Sequence, residues 1–235
     1  MCGRYTLTRQ KNLVDDLDAA LGDSAQGEWW RPRFNVAPTQ PAPVVILENG
    51  KRTIEMMRWG LLPFWAGKGG AKPPLMINAR KESLHAKPAF RDALARKRCL
   101  VPADGFFEWL HEGKEKKPMY IHPEPARTIA FAGLWGRMRT DAGLVTSFTI
   151  ITGPPNSLVA PIHDRMPVVL APEAYATWLD PAVDAEGANA LLQLPPIAAW
   201  TVEAVSSRVN SAKIDDPACI VPLPETPATQ PDLFG

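Results

Sequence analysis

Twenty-five of the 235 residues are prolines, and nothing else in the chain restricts its fold as much. Each proline removes a backbone N–H and holds φ near about −65°, so it breaks helix interiors and interrupts strand ladders. Between the prolines the apolar residues come in short runs, which predicts a strand- and loop-rich domain with a few helices. Strands are expected over residues 44–47 and 53–57, joined by the turn Glu48-Asn49-Gly50-Lys51. Further strands are expected over 99–101, 105–111, 119–122, 129–135, 148–152 and 202–205. Leu13, Leu17 and Leu21, with Val14, predict an amphipathic helix over 12–21. Helices are also expected over 87–97 and, with a proline in the first turn, over 172–179. Strands and helices alternate without a βαβ rhythm, which favours an α+β class over a doubly wound sheet.

The length fits one large or two small domains. No apolar run approaches the roughly 18 residues of a membrane helix, and no signal-peptide pattern opens the chain, so a cytoplasmic protein is expected. The three cysteines, Cys2, Cys99 and Cys219, have neither disulfide nor zinc spacing, and no metal or other cofactor is expected. Cys99 and Cys219 adjoin apolar residues and read as small core residues. The net charge of +1 excludes gripping nucleic acid by overall charge. Basic residues crowd the stretch from Arg58 to Arg98, however, which is consistent with a local basic face or with a solvated helix surface.

Cys2 stands out by position. Removal of Met1 would leave it with a free α-amine beside its thiol. Their ordinary pKa values, about 8 and about 8.5, leave both usable as nucleophiles near neutrality. With an aldehyde, the amine forms a Schiff base and the thiol can close a five-membered thiazolidine. With an amide or ester, the thiol can attack while the amine serves as base. On this residue alone an incidental cysteine remains an alternative.

Three other stretches hold candidate chemistry. On a strand over 105–111, Phe106, Glu108 and Leu110 share a face, so the Glu108 carboxyl would be partly desolvated and its pKa raised toward neutrality. His163 lies in the proline-bracketed segment 161–167 beside Asp164 and Arg165, where it could move protons and Arg165 could bind phosphate. Asn78 and Arg80 could orient a polar substrate and a phosphate. Near Trp65, aromatic and basic residues mix as in stacking platforms for unpaired bases.

Seven segments, in order, resemble the SRAP family (SOS-response-associated peptidase-like, or abasic-site processing, proteins). They are Met1-Cys2-Gly3-Arg4-Tyr5, Phe34-Asn35-Val36-Ala37-Pro38, Arg58-Trp59-Gly60-Leu61-Leu62-Pro63, Ile77-Asn78-Ala79-Arg80-Lys81-Glu82, Asp104-Gly105-Phe106-Phe107-Glu108-Trp109, His163-Asp164-Arg165-Met166-Pro167 and Val205-Ser206-Ser207-Arg208-Val209-Asn210. The resemblance implies one domain over residues 2–221, with a strand-rich, barrel-like core flanked by helices and a groove for single-stranded DNA. It implies that Cys2 captures the aldehyde of a ring-opened abasic sugar as a thiazolidine crosslink. Asn78 would then position the amine and sugar, Glu108 would relay protons, and His163 would assist ring opening and imine chemistry. Arg4, Arg80 and Arg165 would bind flanking phosphates, with Asn35, Trp65, Ser207, Arg208 and Asn210 as further groove contacts. AP-lyase, crosslink-reversal and self-processing activities belong to the same expectation, as does a bacterial nucleoid-associated location during repair.

Residues 222–235 are polar and proline-rich, and read as a disordered tail. Within it, Gln230, Leu233 and Phe234 resemble the peptide by which bacterial proteins dock on the replication sliding clamp. Nothing in the sequence suggests more than a monomer. Two rivals remain: an N-terminal-nucleophile amidohydrolase, which a glutaminase assay would reveal, and a noncovalent single-strand-binding module, which would leave no adduct on a denaturing gel.

Overall fold

A computed structural model describes residues 2–27, 31–63, 74–140, 143–193 and 199–224. The strands are β1 (Arg4–Leu7), β2 (Ala20–Leu21), β3 (Arg33–Val36), β4 (Pro41–Glu48), β5 (Lys51–Trp59), β6 (Asn78–Arg80) and β7 (Arg98–Ala103). They continue with β8 (Gly105–Glu112), β9 (Glu115–Glu124), β10 (Ile129–Thr140), β11 (Gly143–Gly153), β12 (Met166–Pro167), β13 (Val169–Leu170) and β14 (Ala199–Ala204). The α-helices are α1 (Leu13–Leu17), α2 (Pro88–Arg96), α3 (Tyr175–Leu179) and α4 (Ala185–Leu191).

The α+β expectation and the barrel-like core are both present. β5, β4, β7, β10 and β11 are neighbours in that order, and β11 returns to β5 in parallel through Ser147↔Arg58 and Phe148↔Trp59. That last pairing closes a five-strand ring, in which none of the five presents a bare edge along the closed stretch. The β4–β5 turn uses Asn49 and Gly50 at φ 50° and 76°, the doubly left-handed geometry that an Asn-Gly pair favours. Against the barrel lies a five-stranded sheet in the order β14-β9-β8-β1-β3. Aromatic contacts join the two layers: Tyr5 meets Trp59 edge-on at 5.3 Å and Phe131 at 6.1 Å, and Phe106 meets Phe131 at 6.1 Å. Such contacts add about 1 kcal/mol each beyond the area they bury.

The helix expected over 12–21 stops early. Leu13 and Leu17 are buried as their spacing indicates, but Asp18 turns left-handed at φ 47° and ends the helix. The chain beyond it extends, and Leu21 pairs with Ile54 of β5. α2 matches its expectation closely, with Pro88 in the first turn and Phe90, Ala93 and Leu94 facing inward. Arg98, counted above in a basic stretch, is buried. It donates to the carbonyls of Leu94 (2.6 Å), Ala95 (3.0 Å), Trp178 (2.5 Å) and Val183 (3.0 Å). Its guanidinium thereby satisfies orphan carbonyls at the C-terminal ends of α2 and α3. α4 and the short strands β1, β3, β6, β12 and β13 were not expected.

Cys2, Cys99 and Cys219 are all buried free thiols. Near the C-terminus, Pro222 bridges to Val205 and the Leu223 N–H donates to the Ala204 carbonyl at 2.7 Å. No helix among the described residues is long and apolar enough to cross a membrane.

Candidate active site

Cys2, Asn78, Glu108 and His163 come together in space, each from a different element. β6 places Asn78 by running parallel to β11, with Asn78 opposite Ile150. The preceding residue is held from two sides, since the Ile77 carbonyl accepts from the Ile150 N–H at 3.1 Å and the Trp59 indole at 2.9 Å. Asn78 Nδ2 donates to the Cys2 carbonyl at 2.8 Å. Its Oδ1 is buried and has no hydrogen-bond partner among the described residues. A buried acceptor in that condition is poised for a donor that arrives with substrate or appears on processing.

Cys2 is fully buried in the chain that carries Met1, and its thiol points to the Arg4 carbonyl at 3.8 Å. Burial pushes the thiol well above its ordinary pKa, and the negative charge of Glu108 raises it further. The thiol is therefore neutral at rest, and the local carboxylate is the natural base for it.

Glu108 follows from strand alternation. Phe106 joins the main core, while Phe107, on the opposite face, packs with Tyr120, Val205 and Val209. Glu108 shares the Phe106 side and is only 2% exposed. Burial raises its pKa to about 7, and the nearby Asp164 charge adds to the rise. His163 Nε2 lies 4.0 Å from Glu108 Oε2. The imidazole's pKa is lowered by burial, against an opposing pull from Asp164. Burial thus raises the carboxyl's pKa and lowers the imidazole's, drawing the two together, which suits proton exchange in either direction.

A cleft of about 340 Å³ opens onto this pair, lined by Glu108, Trp109, His111, Lys116, His163 and Asn210. Trp109, His111 and Lys116 were missed in the sequence. The usable signal was strand pairing: the β8–β9 register sets His111 opposite Lys116 at the exposed end of the hairpin. A larger depression of about 890 Å³ lies between α1, the β4–β5 turn and α3, away from these groups.

The residues expected to contact DNA divide into two sets. Arg4 donates to Asn35 Oδ1 at 3.1 Å and to the Val209 and Asn210 carbonyls. Asn35 is buried, and its amide donates to the carbonyls of Val209 (3.2 Å), Ser211 (3.0 Å) and Ile214 (2.7 Å). Both hold the loop that follows β14. Arg80, Ser207, Arg208 and Asn210 are exposed. Arg208 pairs with Asp216 at 2.7 Å, and Asn210 accepts from the Trp109 indole at 2.7 Å. Arg165 is 11% exposed and pairs with Glu82. Trp65, Gln230, Leu233 and Phe234 lie outside the described residues. Among the described residues, no group of three or more His, Cys, Asp and Glu side chains is arranged to hold a metal ion.

Comparison with known proteins follows the same outline. The sequence model of the family described as SOS response associated peptidase (SRAP) matches residues 1–212. The abasic site processing protein YoqW of Bacillus subtilis is 42% identical over 230 residues, covering 94% of this chain and 99% of that protein. The abasic site processing protein HMCES of Xenopus tropicalis is 31% identical, covering 99% of this chain and 82% of its own length. A crystal structure of a protein from Bacteroides thetaiotaomicron superposes with a TM-score of 0.81 at 25% identity, covering 94% of this chain and all of that one.

Proposed function

The chain belongs to the SOS response associated peptidase (SRAP) family of abasic site processing proteins, and from that premise we propose that it captures abasic sites in single-stranded DNA covalently through Cys2. Removal of Met1 frees the α-amine. That amine attacks C1′ of the ring-opened sugar to give a carbinolamine, which loses water to become a Schiff base. The Cys2 thiol then adds across the C=N bond, forming the S–C1′ bond while its proton passes to nitrogen. The product is a thiazolidine, with one water lost overall. Because the imine has been consumed, β-elimination and strand scission are suppressed.

Glu108 takes a proton from the α-ammonium, freeing its lone pair for attack, and later returns one to the departing hydroxyl, a two-way role suited to a carboxyl whose pKa burial raises. His163 exchanges protons with Glu108 and assists opening of the sugar ring. Asn78 anchors the Cys2 carbonyl and offers Oδ1 to the new amine or to a sugar hydroxyl. Arg80 and Arg165, with Ser207, Arg208 and Asn210, meet the DNA backbone. Arg4 and Asn35 serve the site by fixing the loop that presents Asn210. AP-lyase scission through the Schiff base, reversal of the crosslink and self-processing ahead of Cys2 use the same groups. The tail motif at Gln230, Leu233 and Phe234 docks a monomeric protein on a sliding clamp.

The convergence of Asn78, Glu108 and His163 on Cys2 is the observation that supports this reading most directly. Intact-mass analysis after incubation with an abasic oligonucleotide tests it. The expected species is the chain without Met1 plus the oligonucleotide minus one water. Absence of any adduct under denaturing conditions would return the protein to the noncovalent class.

A further inference from the structure

The chemistry just described has His163 exchange protons with Glu108, and the geometry points to a residue outside that set as the one that fixes which form of the ring faces it. Glu82 follows β6 directly, in the short turn Lys81–Ser83. Both of its carboxylate oxygens accept from the Arg165 guanidinium, at 2.8 and 2.9 Å, in a bidentate pair. The same guanidinium donates to the Thr152 carbonyl of β11 at 2.5 Å. The pair therefore fastens the loop bearing His163 to both strands that position Asn78. Arg165 holds Glu82's carboxyl below its ordinary pKa, so the pair is charged at neutral pH.

The connection to the imidazole runs through the main chain. The Arg165 backbone N–H donates to His163 Nδ1 at 2.9 Å. A nitrogen that accepts cannot carry the proton, so in the neutral ring the proton sits on Nε2, the atom facing Glu108. A competitor stands beside it, because Asp164 Oδ1 is 3.0 Å from the same Nδ1. If the Arg165 backbone shifts, Nδ1 can take the proton and donate to Asp164, and Nε2 then reaches Glu108 without a hydrogen. Two arrangements of one ring are available, and the position of a single amide selects between them.

We propose that Glu82 is a positioning residue: by clamping Arg165 it sets the His163 tautomer that presents N–H toward Glu108. This rests on the Cys2 reading above, and the test separates the two. Nitrogen-15 NMR of the histidine ring in the DNA-free protein should report the Nε2–H tautomer in the parent and a mixture containing Nδ1–H in Glu82→Gln. Adduct formation at saturating abasic oligonucleotide should slow about tenfold in Glu82→Gln, with thermal unfolding showing that the variant is folded. Arg165→Lys, which removes the fork but keeps the charge, should show the same Nδ1–H mixture in the DNA-free protein. The double variant should shift the ring no further than the stronger single one, since both break one link. An unchanged tautomer in Glu82→Gln overturns the proposal, and so does a changed tautomer with an unchanged rate. A parent that forms no adduct sinks the functional reading itself, while the NMR comparison still decides whether Glu82 governs the ring.

Discussion

Replacing Glu108 by Gln should make the protein more stable at neutral pH while disabling it. The carboxyl is 2% exposed, and burial moves its pKa from an ordinary 4.5 to about 7. The folded state therefore keeps a proton that the unfolded chain has already released between those two values. The sign follows from linkage: with fewer protons bound in the unfolded state, stability falls as pH rises through that window. At about 1.4 kcal/mol per pH unit, the full span amounts to about 3.5 kcal/mol, approached above pH 7 and absent below about pH 4. A neutral amide of the same shape avoids that charge burial. Urea unfolding of the parent and Glu108→Gln, both retaining Met1, should give nearly equal stabilities at about pH 4.5. The gap should then widen to between 1 and about 3 kcal/mol in favour of the variant at about pH 8. Adduct formation, meanwhile, should drop steeply at every pH. A variant no more stable than the parent at pH 8, or a gap that does not change with pH, would refute the idea that desolvation holds this carboxyl near neutrality.

Cys2→Ala should lose the heat-stable adduct and keep some strand cleavage through its remaining α-amine, read on denaturing gels. An undiminished stable adduct would remove the thiol from the mechanism. Asn78→Ala should slow adduct formation about tenfold, the equivalent of one hydrogen bond to a reacting group, with little change in binding of undamaged single strands. Arg98→Met should destabilise the fold by roughly 3 kcal/mol in thermal or urea unfolding, because several buried carbonyls lose their donor together. A deletion of residues 230–235 should abolish sliding-clamp pull-down without touching the adduct yield.

Local chemistry was legible in the sequence and long-range pairing was not. Asn49-Gly50 announced its hairpin because few residue pairs accept two consecutive positive φ angles. Glu108 could be placed on an apolar face because strand alternation is a local rule, and Cys2 was conspicuous by position alone. The barrel closure, by contrast, depends on β5 meeting β11 some ninety positions away, and no window of sequence contains that. The helix over residues 12–21 was overextended because leucine spacing marks a buried face without marking where the backbone turns. Arg4 and Asn35 also bond the carbonyls of the loop after β14, a long-range contact that no local pattern announces. Lys116 and His111 escaped notice because neither means anything until the β8–β9 register pairs them.

The strand that begins two residues after Cys2 has a mechanical consequence. β1 is an interior member of its sheet, laddered to β8 on one side and β3 on the other. Arg4, its first residue, is also tied to the Val209 and Asn210 carbonyls in the loop after β14. A motor hauling on a strand joined to residue 2 would therefore load the polypeptide where two ladders and a guanidinium anchor must rupture together. Extraction by pulling would have to unravel the sheet from its middle, and force spectroscopy through residue 2 should register a higher rupture force than pulling through an edge strand such as β14.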